Sequence, residues 1–157
     1  MPPARFMLIF QSMRVREDDE SAPVTPGCPL RVLVVEDEQL LQWAISETLS
    51  TSGSTVSLAS NAAAALEALT TAEPAFDVVL LDLCLPDSRD LALLSTICRR
   101  WPDTAVVIMT AHAAPEVLAG ARALHVQAIL AKPFDLHGLP AILRAAYQHR
   151  HHPSSLH

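Results

Sequence analysis

The stretch VVLLDLCLP, Val78–Pro86, decides the reading of this chain. Four apolar residues run without a polar break into Asp82, which is the pattern of a strand buried on both faces, whereas a strand with one wet face alternates. The run ends on an acid and turns at Pro86, so a carboxylate stands where the strand leaves its sheet.

Working outward, Leu30–Val35 is a second valine-rich run. Behind it Leu40, Leu41, Ala44, Ile45, Thr48 and Leu49 recur at helical spacing. Gly53 falls where a glycine closes a helix, and Thr55–Leu58 reads as a short strand. Ser60 or Asn61 is placed to cap an alanine-rich helix that ends before Pro74. Phe76–Leu81 is the third strand. The helix after it carries Leu91, Leu94, Ile97 and Cys98 on one face and stops near Trp101-Pro102. Ala105–Met109 is the fourth strand, Pro115 to Leu124 a shorter helix and Val126–Ala131 the fifth strand; Asp135 opens a last helix carrying Leu139, Ile142, Leu143 and Ala146. Strands that are apolar throughout and alternate with helices call for an α/β fold, a doubly wound five-stranded parallel sheet covered on both faces by five helices.

Residues 1–28 mix proline-rich pieces with the charge run Arg14 to Glu20 and hold no period, so they read as a mobile extension, with Met13 an alternative start inside it. Residues 29–149 form the domain and 150–157 a polar, His-rich tail. At 157 residues the chain suits one domain with a full core, and an apolar half with 18% charged residues fits a globular protein. The net charge of −6 offers no field for a phosphate backbone, and Arg99-Arg100 is the clear basic pair before the tail, so direct nucleic-acid binding is disfavoured. Cys28, Cys84 and Cys98 are odd in number and lack CxxC spacing, as reduced cytosolic thiols do. The apolar cluster Phe6–Phe10 is too short for a signal peptide or a membrane span. A soluble, cytoplasmic protein is expected.

Ligands of open parallel sheets bind outside the carboxyl ends of the strands. Here the first strand ends in Glu36-Asp37, the third in Asp82, the fourth in Thr110 and the fifth in Lys132-Pro133. In the flavodoxin-like order 2-1-3-4-5, strands one and three are neighbours, and Glu36, Asp37 and Asp82 share one pocket. Two carboxylates about 4 Å apart repel by roughly 4 kcal/mol at an effective dielectric near 20, so three together need a cation. Mg²⁺, or Mn²⁺ in its place, suits hard oxygen donors and a phosphate oxygen. Lys132 adds a second positive charge, and the Thr110 hydroxyl can donate to a phosphoryl oxygen. Taken singly, each of these residues is an ordinary cap, loop acid or solvated strand end. Taken together, at the strand ends that matter, they point to phosphoryl chemistry.

With VLVVEDE (Val32–Glu38), VVLLDLCLP (Val78–Pro86), VVIMTAH (Val106–His112) and AILAKPFD (Ala128–Asp135) in this order, the chain resembles the response-regulator receiver family of two-component signalling, the CheY-like family, over about Pro29 to His149. The resemblance implies that Asp82 is the phosphoacceptor, that Glu36 and Asp37 serve the metal with Asp82 and the Cys84 main-chain carbonyl, and that Thr110 and Lys132 contact the phosphoryl group. It implies a sensor histidine kinase or phosphotransfer protein as donor, with signalling, not turnover of a substrate, as the result. It further implies a face of the fourth helix, fifth strand and fifth helix that is re-formed for a downstream protein or a homodimer, and a cis Lys132-Pro133 bond. No output domain is expected after the fifth helix, so the chain reads as a stand-alone receiver acting through a partner.

Two departures stand out. Arg89-Asp90 replaces the family's frequent Asp-Gly after the third strand, and Ile129 replaces its usual tyrosine or phenylalanine three residues before the lysine. The first implies another path for that loop, the second a switch with no ring or hydroxyl to report it. Cys84 and His112, two residues past Asp82 and Thr110, are placed to tune attack by water on an acyl phosphate; a small buried thiol and a surface histidine are equally ordinary readings. An aspartyl phosphohydrolase would need its DxD pair after the first strand, and Cys84 stands where the second acid would be. A flavin carrier would need a Ser/Thr/Gly-rich loop where Glu36-Asp37-Glu38 repels phosphate. The alternative worth keeping is a pseudo-receiver that docks partners whatever its phosphorylation state.

Overall fold

The computed structural model describes residues 29–88, 91–112 and 114–151. The extension expected at 1–28, the Arg89-Asp90 departure and residues 152–157 lie outside the described residues. The elements run β1 (Arg31–Val35), α1 (Gln39–Thr51), β2 (Thr55–Ala59), α2 (Ala62–Thr71), β3 (Val78–Asp82), α3 (Ala92–Arg100), β4 (Ala105–Thr110), α4 (Pro115–Ala123), β5 (Ala128–Ala131) and α5 (Leu139–His151), with a 3₁₀ turn at Leu136–Gly138 before the last. All neighbouring strands pair parallel in the order β2-β1-β3-β4-β5, the doubly wound sheet the apolar runs imply.

Side chains alternate between the two faces of each strand, and the core divides accordingly. Leu33, Val35, Val79, Leu81, Val106, Ile108 and Ile129 pack under α2, α3 and α4, with Leu69, Leu94 and Ile97 from those helices. Val32, Val34, Val78, Leu80, Val107, Met109 and Leu130 pack on the other face, under Ile45 and Leu49 of α1 and Leu139, Leu143 and Ala146 of α5. The core is aliphatic, with Phe76 its one buried aromatic residue among the described residues.

Helix ends follow local chemistry. Gly53 takes φ 97 after α1, a conformation open to glycine, and its N–H returns to the Ser50 carbonyl. Asn61, not Ser60, caps α2, its side-chain oxygen accepting from Ala64 N–H at 2.8 Å. Asp135 caps the 3₁₀ turn, not α5 itself, because Gly138 disfavours a regular helix and Pro140 is tolerated only in a first turn. Leu40, read as part of the buried face of α1, is 72% exposed, and Trp43 is 60% exposed. The i, i+4 row Leu41, Ile45, Leu49 faces the sheet, and Leu40 stands well round the helix from it. Arg150 and His151, assigned to the tail by sequence, continue α5: the Arg150 guanidinium donates to the Pro102 carbonyl, and Tyr147 meets His151 with ring centroids 4.4 Å apart. No described helix is long and apolar enough to cross a membrane.

Candidate functional site

Strand register builds the site. Val35 pairs with Leu81, so Glu36 and Asp82, each one residue further on, leave the sheet side by side. Asp82 pairs with Met109 and Thr110 with Ala131, which puts Thr110 one step and Lys132 two steps beyond Asp82 along the rim. Alternation adds a second sorting. Asp82 projects on the face of Val78 and Leu80, whereas Thr110 projects on the face of Val106, Ile108 and Ile129.

One carboxylate oxygen from each of Glu36, Asp37 and Asp82 lies within 4.8 Å of the others, with Glu36 and Asp82 buried and Asp37 exposed. Lys132 joins the two buried acids: its Nζ is 2.8 Å from Glu36 Oε2 and 3.0 Å from Asp82 Oδ2. The second oxygens are bound by the backbone, Glu36 Oε1 accepting from Glu38 N–H at 3.1 Å and Asp82 Oδ1 from Cys84 N–H at 2.9 Å. Burial raises the Glu36 pKa above its ordinary value; the hydrogen bonds from Lys132 and Glu38 offset this in part, and the nearby Asp82 charge adds to it. Burial by itself draws Lys132 down, but the hydrogen bonds to Glu36 and Asp82 outweigh it and hold the ammonium above its usual range.

Thr110 is brought to the same rim, yet its hydroxyl makes no hydrogen bond to Asp82. Its hydroxyl donates to the His112 carbonyl at 2.9 Å and accepts from His112 N–H at 3.2 Å, closing a small turn on its own loop. Cys84 is exposed, which removes the buried-thiol reading, and it is free, as is Cys98. The Lys132–Pro133 peptide is cis.

Other residues hold the site from behind. The Gln42 amide donates to the Glu36 carbonyl at 3.1 Å and the Ala59 carbonyl at 3.3 Å, tying the start of α1 to the ends of β1 and β2. Asp87, in the loop after Asp82, accepts from Ala62 N–H at 2.7 Å and Ala63 N–H at 3.0 Å at the head of α2. No sequence signal marked either. Asp87 directly follows the quoted motif Val78–Pro86, but nothing local ties it to residues 25 and 24 positions earlier.

Three clustered carboxylates facing one ammonium across the carboxyl rim of a parallel sheet define an α/β protein with an acidic, oxygen-donor pocket of the kind that takes a small hard cation. Comparison with known proteins is specific within that class. The family model "Response regulator receiver domain" matches residues 32–144, and the chain belongs to this family. The DNA-binding transcriptional regulator NtrC of Escherichia coli (strain K12) is 36% identical over 118 residues, 75% of this chain and 25% of that protein. The chain thus spans about a quarter of the length of these curated relatives. The non-phosphorylated HemR receiver domain from Leptospira biflexa superposes with a TM-score of 0.66 at 30% identity, covering 75% of this chain and 94% of that one. A CheY-like receiver domain protein from Methanospirillum hungatei JF-1, at 21% identity, shares the fold with a TM-score of 0.75 over 80% of this chain and 99% of that one. Receiver domains are phosphoacceptor signalling domains that typically bind Mg²⁺ in an acidic pocket and interact with histidine kinases or phosphotransfer proteins.

Proposed function

We propose that this chain accepts a phosphoryl group on Asp82 from the phosphohistidine of a sensor kinase or phosphotransfer protein and signals through a downstream protein partner. The observation that carries this reading is the Lys132 ammonium, shared between Asp82 and Glu36 beside the exposed Asp37. A carboxylate hydrogen-bonded to a neighbouring ammonium, at the edge of the sheet, is a nucleophile within reach of a docked donor. The donor set fits Mg²⁺ or Mn²⁺, being all hard oxygen: Glu36, Asp37 and Asp82, with the Cys84 main-chain carbonyl as the further oxygen. A bound dication supplies charge neutralisation at the transferring phosphoryl oxygens.

In the step itself an Asp82 carboxylate oxygen forms a bond to phosphorus while the P–N bond to imidazole breaks, and the departing ring takes up a proton. Lys132 turns from the Asp82 carboxylate to the new phosphoryl oxygens, a charge-assisted contact stronger than a neutral hydrogen bond. Thr110 gives up the His112 carbonyl and donates to a phosphoryl oxygen instead, moving the loop into α4. Residues 29–149 act as the receiver unit, and the α4, β5 and α5 face is the surface that changes for a partner or a second copy.

Intact mass after incubation with acetyl phosphate and Mg²⁺ tests this. A hydroxylamine-sensitive phosphoryl adduct, lost in Asp82→Asn, is expected. No adduct with any donor would favour the pseudo-receiver alternative, in which the same face docks partners independently of phosphorylation.

A further inference from the structure

The loop that carries Cys84 is held from its far end. Between Asp82 and α3 the chain buries Leu85, bridges Leu85 to Ser88, and sends the exposed Asp87 carboxylate to the head of α2. The first N–H groups of a helix have no partner within it. In α2, a helix of ten residues, the Ala64 N–H is met by its own Asn61 cap, while Ala62 and Ala63 are met by Asp87 from another loop. Asp87 therefore does more than cap. Each of its oxygens takes one donor, and two bonds with a helix dipole behind them fix both the position and the rotation of the carboxylate. Three residues earlier, the Cys84 N–H is fixed on Asp82. The segment 84–87 is thus pinned at both ends, by Asp82 at one and by α2 at the other.

We infer that Asp87 is a positioning residue, which sets the path of the loop so that the Cys84 carbonyl is presented to the cation. This rests on the metal assignment above. A short loop pinned at one end swings freely, and a single backbone carbonyl contributes to a cation only when its direction is fixed beforehand. Here α2, which supplies no side chain to the pocket, supplies the anchor.

The test uses the full 157-residue chain and Mg²⁺ itself, followed by calorimetry and by backbone amide NMR. Asp87→Ala is expected to weaken Mg²⁺ binding about tenfold and, in the metal-free protein, to shift the Cys84 and Leu85 amide resonances. Asp87→Asn, which keeps one carbonyl acceptor, falls between the two. Asn61→Ala is the control for a merely structural role: it removes a cap from the same helix end, lowers thermal stability, and leaves Mg²⁺ affinity and the Cys84 amide unchanged. Equal Mg²⁺ affinity in wild type and Asp87→Ala overturns the inference while leaving the phosphoacceptor reading intact. Equal weakening in Asp87→Ala and Asn61→Ala also overturns it, since α2 stability alone would then account for the effect. A wild-type chain that takes up no Mg²⁺ overturns both, and is recognised by titrations that are flat for every variant.

Discussion

Thr110 is bonded to His112, not to Asp82: its hydroxyl donates to the His112 carbonyl at 2.9 Å and accepts the His112 N–H at 3.2 Å. Both bonds lie within one loop, and the hydroxyl is nearly sealed from solvent, so the arrangement is stable in the absence of a phosphoryl group. Phosphorylation offers a more strongly charged acceptor, and the donated bond is the one that must be exchanged. The His112 amide is therefore expected to shift on phosphorylation in wild type and in Thr110→Ser, and to stay in place in Thr110→Val. The valine variant also leaves the His112 N–H without its acceptor, at a cost of about 1 kcal/mol, readable by urea unfolding. A His112 amide that moves equally in Thr110→Val would show that the hydroxyl plays no part in switching.

Lys132 stands between two buried acids, and its removal leaves Glu36 and Asp82 facing each other with no counter-charge. Lys132→Met is expected to destabilise the metal-free protein by about 1–3 kcal/mol, less than a fully sealed ion pair because the ammonium keeps some exposure. With one positive charge gone from the pocket, Mg²⁺ binds more tightly and restores more stability to the variant than to wild type. Phosphorylation by acetyl phosphate nonetheless slows, because the same ammonium is the partner of the incoming phosphoryl oxygens. Urea unfolding with Mg²⁺ and with a chelator, beside adduct formation over time, separates these effects. A variant that binds Mg²⁺ no better and is phosphorylated at the wild-type rate would remove Lys132 from the site.

The strand ends were legible because two simple regularities meet there. Unbroken apolar runs mark strands covered on both faces, and parallel strands share one carboxyl rim, so Glu36, Asp82, Thr110 and Lys132 had to lie along it. The side chains' directions needed register as well. Thr110 and Asp82 project on opposite faces, which depends on counting residues along paired strands and is invisible in the motifs alone. Gln42 and Asp87 were not legible at all. Each is an ordinary polar residue whose shortest hydrogen bonds go to backbone groups, and a backbone donor or acceptor carries no sequence signature. Leu40 misled for a related reason: an apolar residue beside a helical row reads as part of it until the sheet fixes which arc is covered.

Ile129 takes the place of a ring or hydroxyl and is 4% exposed, part of the core cluster against which Leu118, Leu124 and Val126 also pack. It shares the face of Thr110 on the neighbouring strand, so the loop that moves and the packing that resists are in one layer. Ile129→Ala should cost about 2–4 kcal/mol through the cavity it leaves. Ile129→Phe should cost about 1–3 kcal/mol by overpacking, unless α4 yields. Equilibrium urea unfolding measures both. Near-neutral effects from both substitutions would mean that α4 is loosely held at rest, and the packing around Ile129 would then set no barrier to switching.

Asp87 yields a prediction in pH. The Ala62 N–H, then the Ala63 N–H, hold its pKa below the ordinary 3.8. A carboxylate with a lowered folded pKa binds its proton more weakly in the folded than in the unfolded chain, so its stabilisation is present above 3.8 and is lost as pH falls through the lowered value. Asp87→Asn carries no such dependence at this position. In chelator, the urea midpoint of wild type should exceed that of Asp87→Asn by a constant amount from neutral pH down toward 3.8, and the gap should close below it. Glu36 contributes the opposite trend, since its raised pKa means that ionisation disfavours the fold as pH rises, but it does so equally in both proteins and cancels in the difference. A gap that persists unchanged into acid would show that the asparagine variant fails through shape and not through loss of charge at the head of α2.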